Sequence, residues 1–283
     1  MVVDPPTEPE PPTRSLALSE AARYPQHFVS LESRGSGEPP LKRRLAFEGE
    51  ASDKKRYVRQ MFGRIAGRYD RMNSLMTGGR HHGWRRLVAR LADPAPGRLA
   101  LDLCCGTGDQ ALELARLRRG PVLGIDFSSP MLELARKKAR QAGLAGAVSF
   151  QEADALSLPF ADGAFSCITT AFSLRNVADI PAFLTEMRRV VAPGGRIVTL
   201  DLLGAPRGPL ALFGRFYLRR VVPILGALVA GDADAYSYLP ASTGFVPSME
   251  ELSRLMEEAG LVHVSFRSLA FGGVAIHIGE RPS

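Results

Sequence analysis

The sequence predicts an α/β protein with a mostly parallel sheet that ends in an antiparallel pair. Three observations predict it. Short apolar runs alternate with amphipathic helical patterns between Arg98 and Asp201. The stretch LDLCCGTGD, Leu101 to Asp109, ends an apolar strand and opens a helix through a two-glycine turn. Two alternating runs, VHVSF from Val262 and VAIHI from Val274, close the chain around Phe271-Gly272-Gly273 as a hairpin. Strand and helix in turn require parallel strands with both faces covered.

Residues 1 to 52 stand apart. Eight prolines fall in the first fifty positions, with acids at Asp4, Glu8 and Glu10 and a basic LKRR at Leu41 to Arg44, so a disordered arm is expected there. The acids argue against a mitochondrial presequence, and no apolar core of a signal peptide follows the start. The domain proper is expected over 53–283. It opens with two or three short lid helices, broken at Gly78-Gly79. Arg98 to Cys105 and Pro121 to Ile125 read as buried strands flanking a helix from Asp109 to Leu117. Ser129 reads as the cap of the next helix, with Pro130 at its first position and Lys137, Lys138 and Arg140 near its end.

Val148 to Gln151 and Phe165 to Thr170 are the third and fourth strands. Asp179 starts a helix expected to stop at Pro193-Gly194-Gly195, and Arg196 to Asp201 is the fifth strand. Ser248-x-x-Glu251 is a capping box ahead of Leu252, Leu255, Met256 and Ala259, one apolar helix face. Five parallel strands and a hairpin make a seven-stranded sheet. That is the plan of class I methyltransferases of the Rossmann-like kind, an analogy of fold alone.

Composition narrows the class. The chain has 283 residues, 45% of them hydrophobic, enough for a sizeable core. Its most apolar segment, Leu210 to Gly231, is interrupted by Arg215, Arg219 and Arg220 and is too short for a bilayer crossing. Three cysteines, Cys104, Cys105 and Cys167, have neither disulfide nor zinc spacing, which fits a reducing, cytoplasmic interior. Thirty-six basic residues against 29 acidic ones give +7, which permits an anionic partner such as RNA or a phospholipid surface.

The glycine turn lies where an open α/β sheet takes its ligand, at the carboxyl ends of the strands. Gly106-x-Gly108-x-x-Ala111 also fits a dinucleotide fingerprint, so the acids must decide. Asp102 sits in the strand end and Asp109 just past the glycines. At about 5 Å and an effective dielectric near 20, a carboxylate facing pyrophosphate costs on the order of 3 kcal/mol and gains as much facing a cation. The pair therefore favours S-adenosylmethionine, with its sulfonium and ammonium, over a dinucleotide. Asp126, ending the second strand, is placed for both ribose hydroxyls, and Asp154-Ala155 for the adenine amino group. Each has a plainer reading: the glycines as a tight turn, Asp126 as a residue preceding a helix cap.

At the end of the fourth strand stands TTAFSLRNVAD. It lacks the Asn-Pro-Pro-Tyr kind of segment expected of an adenine amino-methylating enzyme. Cys167 lies too early in the strand to be an exposed nucleophile. Arg175 and Asn176 are the polar groups on offer, suited to holding an aromatic hydroxyl as its anion. The structural alternative for Arg175 is a salt bridge to Asp179.

With VRQMFGRIAGRYDRMNSLMTGGRHHGWRR from Val58, LDLCCGTGD, SLRNVAD, VVAPGGRIVTLD and LVAGDADAYSYL from Leu228, the chain resembles the C-methyltransferases of menaquinone and ubiquinone biosynthesis. The resemblance covers about Lys54 to Glu280. It implies S-adenosylmethionine-dependent methylation of a polyprenyl quinol, either demethylmenaquinol or the related benzoquinol of ubiquinone synthesis. Beside the glycine-turn positions Gly106 and Gly108 read above, it implies cofactor contacts at Thr107, Asp126, Asp154 and Ala155, and quinol-side residues Tyr69, Arg175 and Asn176. Departures are Ala171 where the family often has Ser, Asp201-Leu202-Leu203 where it usually reads Glu-x-Ser, and Thr77 for Ser. His81, three positions before Trp84, is either a proton acceptor or part of a packed lid helix.

A polyprenyl quinol stays in a bilayer, so contact with an anionic membrane surface is expected at the inner face. Leu210 to Gly231, with Phe213, Phe216, Tyr217 and its arginines, reads either as an interfacial helix or as a lid. An RNA or protein methyltransferase stays open as a rival, though no nucleic-acid module and no aromatic–basic interleaving is present, so no nucleic acid is expected as partner. The oligomeric state is not legible.

Overall fold

A computed structural model describes residues 29–30, 51–202, 246–270 and 273–283. The expected interfacial segment Leu210 to Gly231 and the LKRR cluster lie outside the described residues. Two helices precede the sheet, α1 (Ala51–Thr77) and α2 (Arg80–Ala92). The break at Gly78-Gly79 stands as expected, with φ of 56° and 73° in the left-handed region where a side chain is disfavoured. α1, however, is one helix of 27 residues rather than two short ones.

The alternating core follows as β2 (Ala100–Leu103), α3 (Asp109–Arg116), β3 (Val122–Asp126), α4 (Ser129–Gln141), β4 (Val148–Glu152), β5 (Phe165–Ala171), α5 (Ile180–Val190) and β6 (Val191–Leu202). It closes with α6 (Met249–Glu258), β7 (Val262–Leu269) and β8 (Val274–Glu280). β2 to β6 pair in parallel, and β8 inserts antiparallel between β6 and β7. A two-residue strand in the proline-rich arm, β1 (Val29–Ser30), pairs antiparallel with the outer edge of β7, so the order is β1-β7-β8-β6-β5-β2-β3-β4. The seven longer strands are those expected from the sequence. Strand order reverses at β2, which has β3 on one side and β5 on the other, and that reversal opens a crevice at the strands' carboxyl ends.

Period-2 alternation sorts the two cores. Ala100 of β2 packs with Val88 and Ala89 of α2 and with α3 and α4, while Leu101 and Leu103 pack with Phe183, Leu184 and Met187 of α5 and with α6. α1 adds a third cluster of Met61, Ile65 and Met72, with Phe62, Tyr69 and Phe127 against it.

Two helix boundaries differ from expectation. Ser128 rather than Ser129 is the N-cap of α4, and Pro130 falls one position further in. The Ser128 amide is already held by Asp126, and the Ser129 hydroxyl turns to Glu152. Pro193-Gly194-Gly195 does not stop α5, which ends at Val190; it forms an irregularity within β6, where Phe165 pairs with Val191 and Cys167 already pairs with Arg196. Gly194 with φ 70° makes that step possible. Asp179 caps α5 by accepting the Ala182 amide at 2.9 Å, and Ser248 caps α6 through the Glu251 amide at 3.1 Å, both as expected.

The Phe150 ring of β4 occupies space that two glycines leave. A Cβ at Gly124 of β3 would stand 2.7 Å from Phe150 Cδ1, and one at Gly108 would stand 2.9 Å from Phe150 Cζ and 2.9 Å from Ala135 Cβ. Gly124→Ala is expected to destabilise the protein by about 1–3 kcal/mol, the usual cost of overfilling a packed core. A lower denaturation midpoint at unchanged denaturant slope checks this.

Candidate active site

The crevice holds a cavity of about 350 Å³ at the carboxyl ends of β2 to β5. β3 and β4 bring Asp126 and Asp154, the glycine turn brings Gly106, and α1 lends Phe62 and Tyr69. The segment after β5 brings Phe172, Ser173 and Asn176. Among the described residues that line it there are two carboxylates and no Lys, Arg or His. Such a wall repels a pyrophosphate and suits a cationic or hydroxyl-bearing ligand.

Asp126 is 7% exposed and accepts two backbone hydrogen bonds, from the Gly106 amide at 2.9 Å and the Ser128 amide at 2.9 Å. Burial pushes its carboxyl above the ordinary range, and those amides oppose the rise. Each carboxylate oxygen keeps a second lone pair, so acceptance of ribose hydroxyls remains open to it. Asp154 accepts the Leu156 amide at 3.1 Å, and Ala155 lines the cavity beside it. Gly106 has φ 54°, and a Cβ there would meet nothing within 4 Å, so the wall at this turn is bare backbone. Gly108, with φ 83°, is the N-cap of α3 and is held for packing rather than for contact.

The acids nearest the glycine turn do not face the cavity, contrary to the expectation. Alternation sends Asp102 to the Ala100 face of β2, under α2 and α3, where it is fully buried. Thr169, its register partner on β5, donates to Asp102 Oδ1 at 2.8 Å, and Oδ2 has no partner. Burial raises its pKa to about 7, against the Thr169 hydroxyl and the charge of Arg85. Asp109 is bound to Lys138 of α4. Burial pushes its carboxyl upward, but Arg85 and Lys138 outweigh that and leave it below the usual range. The electrostatic preference thus comes from Asp126 and Asp154, while Asp109 is neutralised.

Thr107, 2% exposed, donates to Asp70 Oδ1 at 2.6 Å, and Lys138 Nζ lies 2.8 Å from Asp70 Oδ2 and 3.2 Å from Thr107. Asp70, Lys138 and Asp109 therefore fasten α1 across the glycine turn to α3 and α4. None of Asp70, Lys138 or Arg85 is legible as a site residue. The visible hint is the place of Asp70 directly after Tyr69. Arg85 is 5% exposed, its Nε is unpartnered, and its guanidinium stands 5.2 Å from the centre of the Phe172 ring.

Tyr69 and Asn176 are brought together on the cavity wall; Arg175 is not. Phe62 packs edge-on against Tyr69 at 5.7 Å between ring centroids. The Asn176 Oδ1 is buried and unpartnered. Arg175, 6% exposed, faces Asp201 of β6 at 3.7 Å, not Asp179, which is occupied as a helix cap. Its Nη1 makes no hydrogen bond. Asp201 accepts the Leu174 amide at 2.7 Å and the Leu202 amide at 2.8 Å; burial raises its pKa, with Arg175 the largest opposing influence.

His81 is 1% exposed, contacts Ser74 Oγ at 3.2 Å, and has its pKa lowered to about 4 by burial and then by His82 and Arg85. It belongs to the packed lid. Cys167 is buried with its thiol pushed up to about 12, and burial holds the Cys104 thiol well above its ordinary value, so neither is a nucleophile. No cluster of metal-ligating side chains exists among the described residues.

The family model described as the ubiE/COQ5 methyltransferase family matches residues 50–281. The chain belongs to that family. It is a methyltransferase, and S-adenosylmethionine is its methyl donor. The demethylmenaquinone methyltransferase of Thermus thermophilus is 48% identical over 224 residues, 78% of this chain and 100% of that protein. The enzyme of the same name from Roseiflexus castenholzii is 43% identical over 80% of this chain and 94% of its own. The ubiquinone/menaquinone biosynthesis C-methyltransferase UbiE of Vibrio cholerae is 39% identical over 84% and 92%. A SAM-dependent methyltransferase from Aquifex aeolicus shares the fold, with TM-score 0.53, 20% identity, and 75% and 96% of the two chains covered. The class read from glycine turn and acids therefore stands, as does the expected family.

The cavity wall fits the donor: the carboxylates Asp126 and Asp154, bare backbone at Gly106, and apolar Phe127 and Met131. A pH test isolates Asp102. Its folded pKa is raised from 3.8 to about 7, so the folded state binds more protons than the unfolded one across that window and stability is lost as pH rises through it. Asp102→Asn removes this loss. The stability of the variant relative to the native protein is expected to climb between about pH 4 and pH 7 and to level off above, read from denaturant titrations at each pH.

Proposed function

We propose that the protein methylates a ring carbon of demethylmenaquinol, a polyprenyl naphthoquinol, using S-adenosylmethionine. The support for this reading is one cavity lined by Asp126 and Asp154 together with Tyr69 and the side-chain amide of Asn176. The naphthoquinol is favoured over the benzoquinol because the relatives at 48%, 43% and 41% identity are named demethylmenaquinone methyltransferases.

When bound, S-adenosylmethionine supplies an electrophilic methyl group on a positively charged sulfur. Asp126 would accept from its ribose and Asp154 from its adenine amino group, with Ala155 and Leu156 against the ring.

On the quinol side, the Asn176 Nδ2 and the Tyr69 hydroxyl would donate to the oxygen ortho to the reacting carbon and favour its anion. Arg175 adds positive charge from behind Asn176 and acts as a positioning residue. As the phenolate pushes electrons into the ring, that carbon takes the methyl, the carbon–sulfur bond breaks, and the ring proton leaves to restore aromaticity. No strong base is required: alignment and exclusion of water carry the acceleration. Contact with an anionic membrane belongs to the same reading, since the substrate's prenyl tail keeps it in a bilayer. No helix among the described residues is long and apolar enough to cross one.

Transfer of labelled methyl to reduced demethylmenaquinone, a benzoquinol and total RNA tests the assignment, and label in RNA alone would sink it. Asn176→Ala is expected to lower kcat about 10²–10³-fold, the usual effect of removing a donor to a developing oxyanion, with S-adenosylhomocysteine affinity unchanged by calorimetry. Arg175→Ala leaves Asp201 buried without its counter-charge, so Arg175→Ala/Asp201→Asn is the informative variant. A parallel loss of S-adenosylhomocysteine binding in either would remove the quinol-side role.

A further inference from the structure

We propose that Ser173 reads the oxidation state of the substrate: its hydroxyl oxygen accepts a hydrogen bond from the quinol hydroxyl that keeps its proton, and has no proton to give to the carbonyl of the quinone. This role rests on the quinol reading above. Among the described residues that line the cavity, Ser173 carries the sole aliphatic hydroxyl, and its chain neighbours on the same wall, Ala171, Phe172, Val177 and Ala178, are apolar.

The direction of its hydrogen bond follows from three oxygens in a row. The Leu103 carbonyl of β2 can only accept. Thr170, its register partner on β5, holds its hydroxyl 2.8 Å from that carbonyl and donates its single proton there. Ser173 Oγ lies 2.6 Å from Thr170 Oγ1. With the Thr170 proton committed, Ser173 must be the donor of this second bond. The reverse direction would leave the Thr170 and Leu103 oxygens face to face at a buried site with no proton between them. Thr170 is buried off the cavity wall, so the Ser173 proton is spent away from the ligand. What Ser173 keeps for a ligand is lone pairs.

The residue is also held in place. Phe172, just before it, takes φ 62°, in the left-handed region that a bulky side chain rarely adopts, with its amide on the Leu200 carbonyl at 2.7 Å. Just after it, the Leu174 amide is bound to Asp201 at 2.7 Å, and the Asn176 amide closes the turn on the Ser173 carbonyl at 2.8 Å. Strain of this kind persists where the surroundings over-determine the backbone, and it concentrates at functional sites.

The two redox forms differ in what such a group can meet. A reduced ring has hydroxyl protons to donate and a nucleophilic carbon; the oxidised ring has only carbonyl acceptors and no nucleophilic carbon, so it would fill the cavity as a dead-end ligand. Set against an acceptor without a free proton, the carbonyl loses its water and gains no donor.

Equilibrium dialysis of the full chain saturated with S-adenosylhomocysteine measures affinity for a short-chain demethylmenaquinol under anaerobic reductant and for the matching quinone in air. Native protein is expected to hold the quinol about tenfold or more tighter than the quinone. Ser173→Ala is expected to lose that preference through weaker quinol binding, with quinone binding unchanged. Thr170→Val frees the Ser173 proton, so it is expected to lose the preference in the opposite way, through tighter quinone binding, whereas Thr170→Ser keeps the native ratio. Should Thr170→Val fail to fold, Ser173→Ala and Thr170→Ser decide the matter. A native ratio in Ser173→Ala, equal weakening of both redox forms, or a loss of S-adenosylhomocysteine affinity overturns the role of Ser173. Native protein that methylates the quinol yet binds both forms equally overturns it as well and leaves the quinol reading standing; native protein that neither binds nor methylates the quinol removes both.

Discussion

The site depends on one carboxylate held by two amides. Asp126 takes the Gly106 amide on one oxygen and the Ser128 amide on the other, so a single side chain ties the turn after β2 to the start of α4. Without it, both loops at the point of strand reversal would carry buried N–H groups in need of partners. The arrangement fixes the glycine turn, shapes the cavity floor and leaves lone pairs facing inward. Burial works against the charge, and the donors work for it. The group that holds both loops also lines the cavity, and it sits at the end of a rigid central strand rather than on a loop.

Around that anchor, charge is divided by location. Asp126 and Asp154 line the cavity, and outside it Lys138 matches Asp70 and Asp109 while Arg175 faces Asp201. The matched group fastens the lid helix α1 to the sheet domain and brings Tyr69 to the cavity.

Much of this was legible in the sequence because it lies along the chain. Strand–helix alternation gave the sheet, and strand ends gave Asp126, Asp154 and Ala155; the SLRNVAD segment gave Asn176. What was not legible needed neighbours from other strands. The run LDLCC does not say which side of the sheet Asp102 faces, and only parity with Ala100 and register with Thr169 decide it. Sequence reasoning put only Asp179 in reach of Arg175, and its place against Asp201 follows from β6 lying beside β5. Pro193-Gly194-Gly195 has the composition of a stop, yet strand pairing on both sides absorbs it as an irregularity. The family departure at Asp201 falls on the partner of Arg175, so it concerns how that guanidinium is held.

The shared ring of Phe150 has a consequence for how the chain can vary. It fills the space left by Gly108 and by Gly124 at once, one in the turn and one in the neighbouring strand. Three positions far apart in the chain are therefore a single steric unit. Enlarging either glycine demands a smaller residue at 150, and shrinking that residue opens a void at the other glycine. Drift through one position at a time is blocked, and any lineage that alters this corner must change several letters together or none.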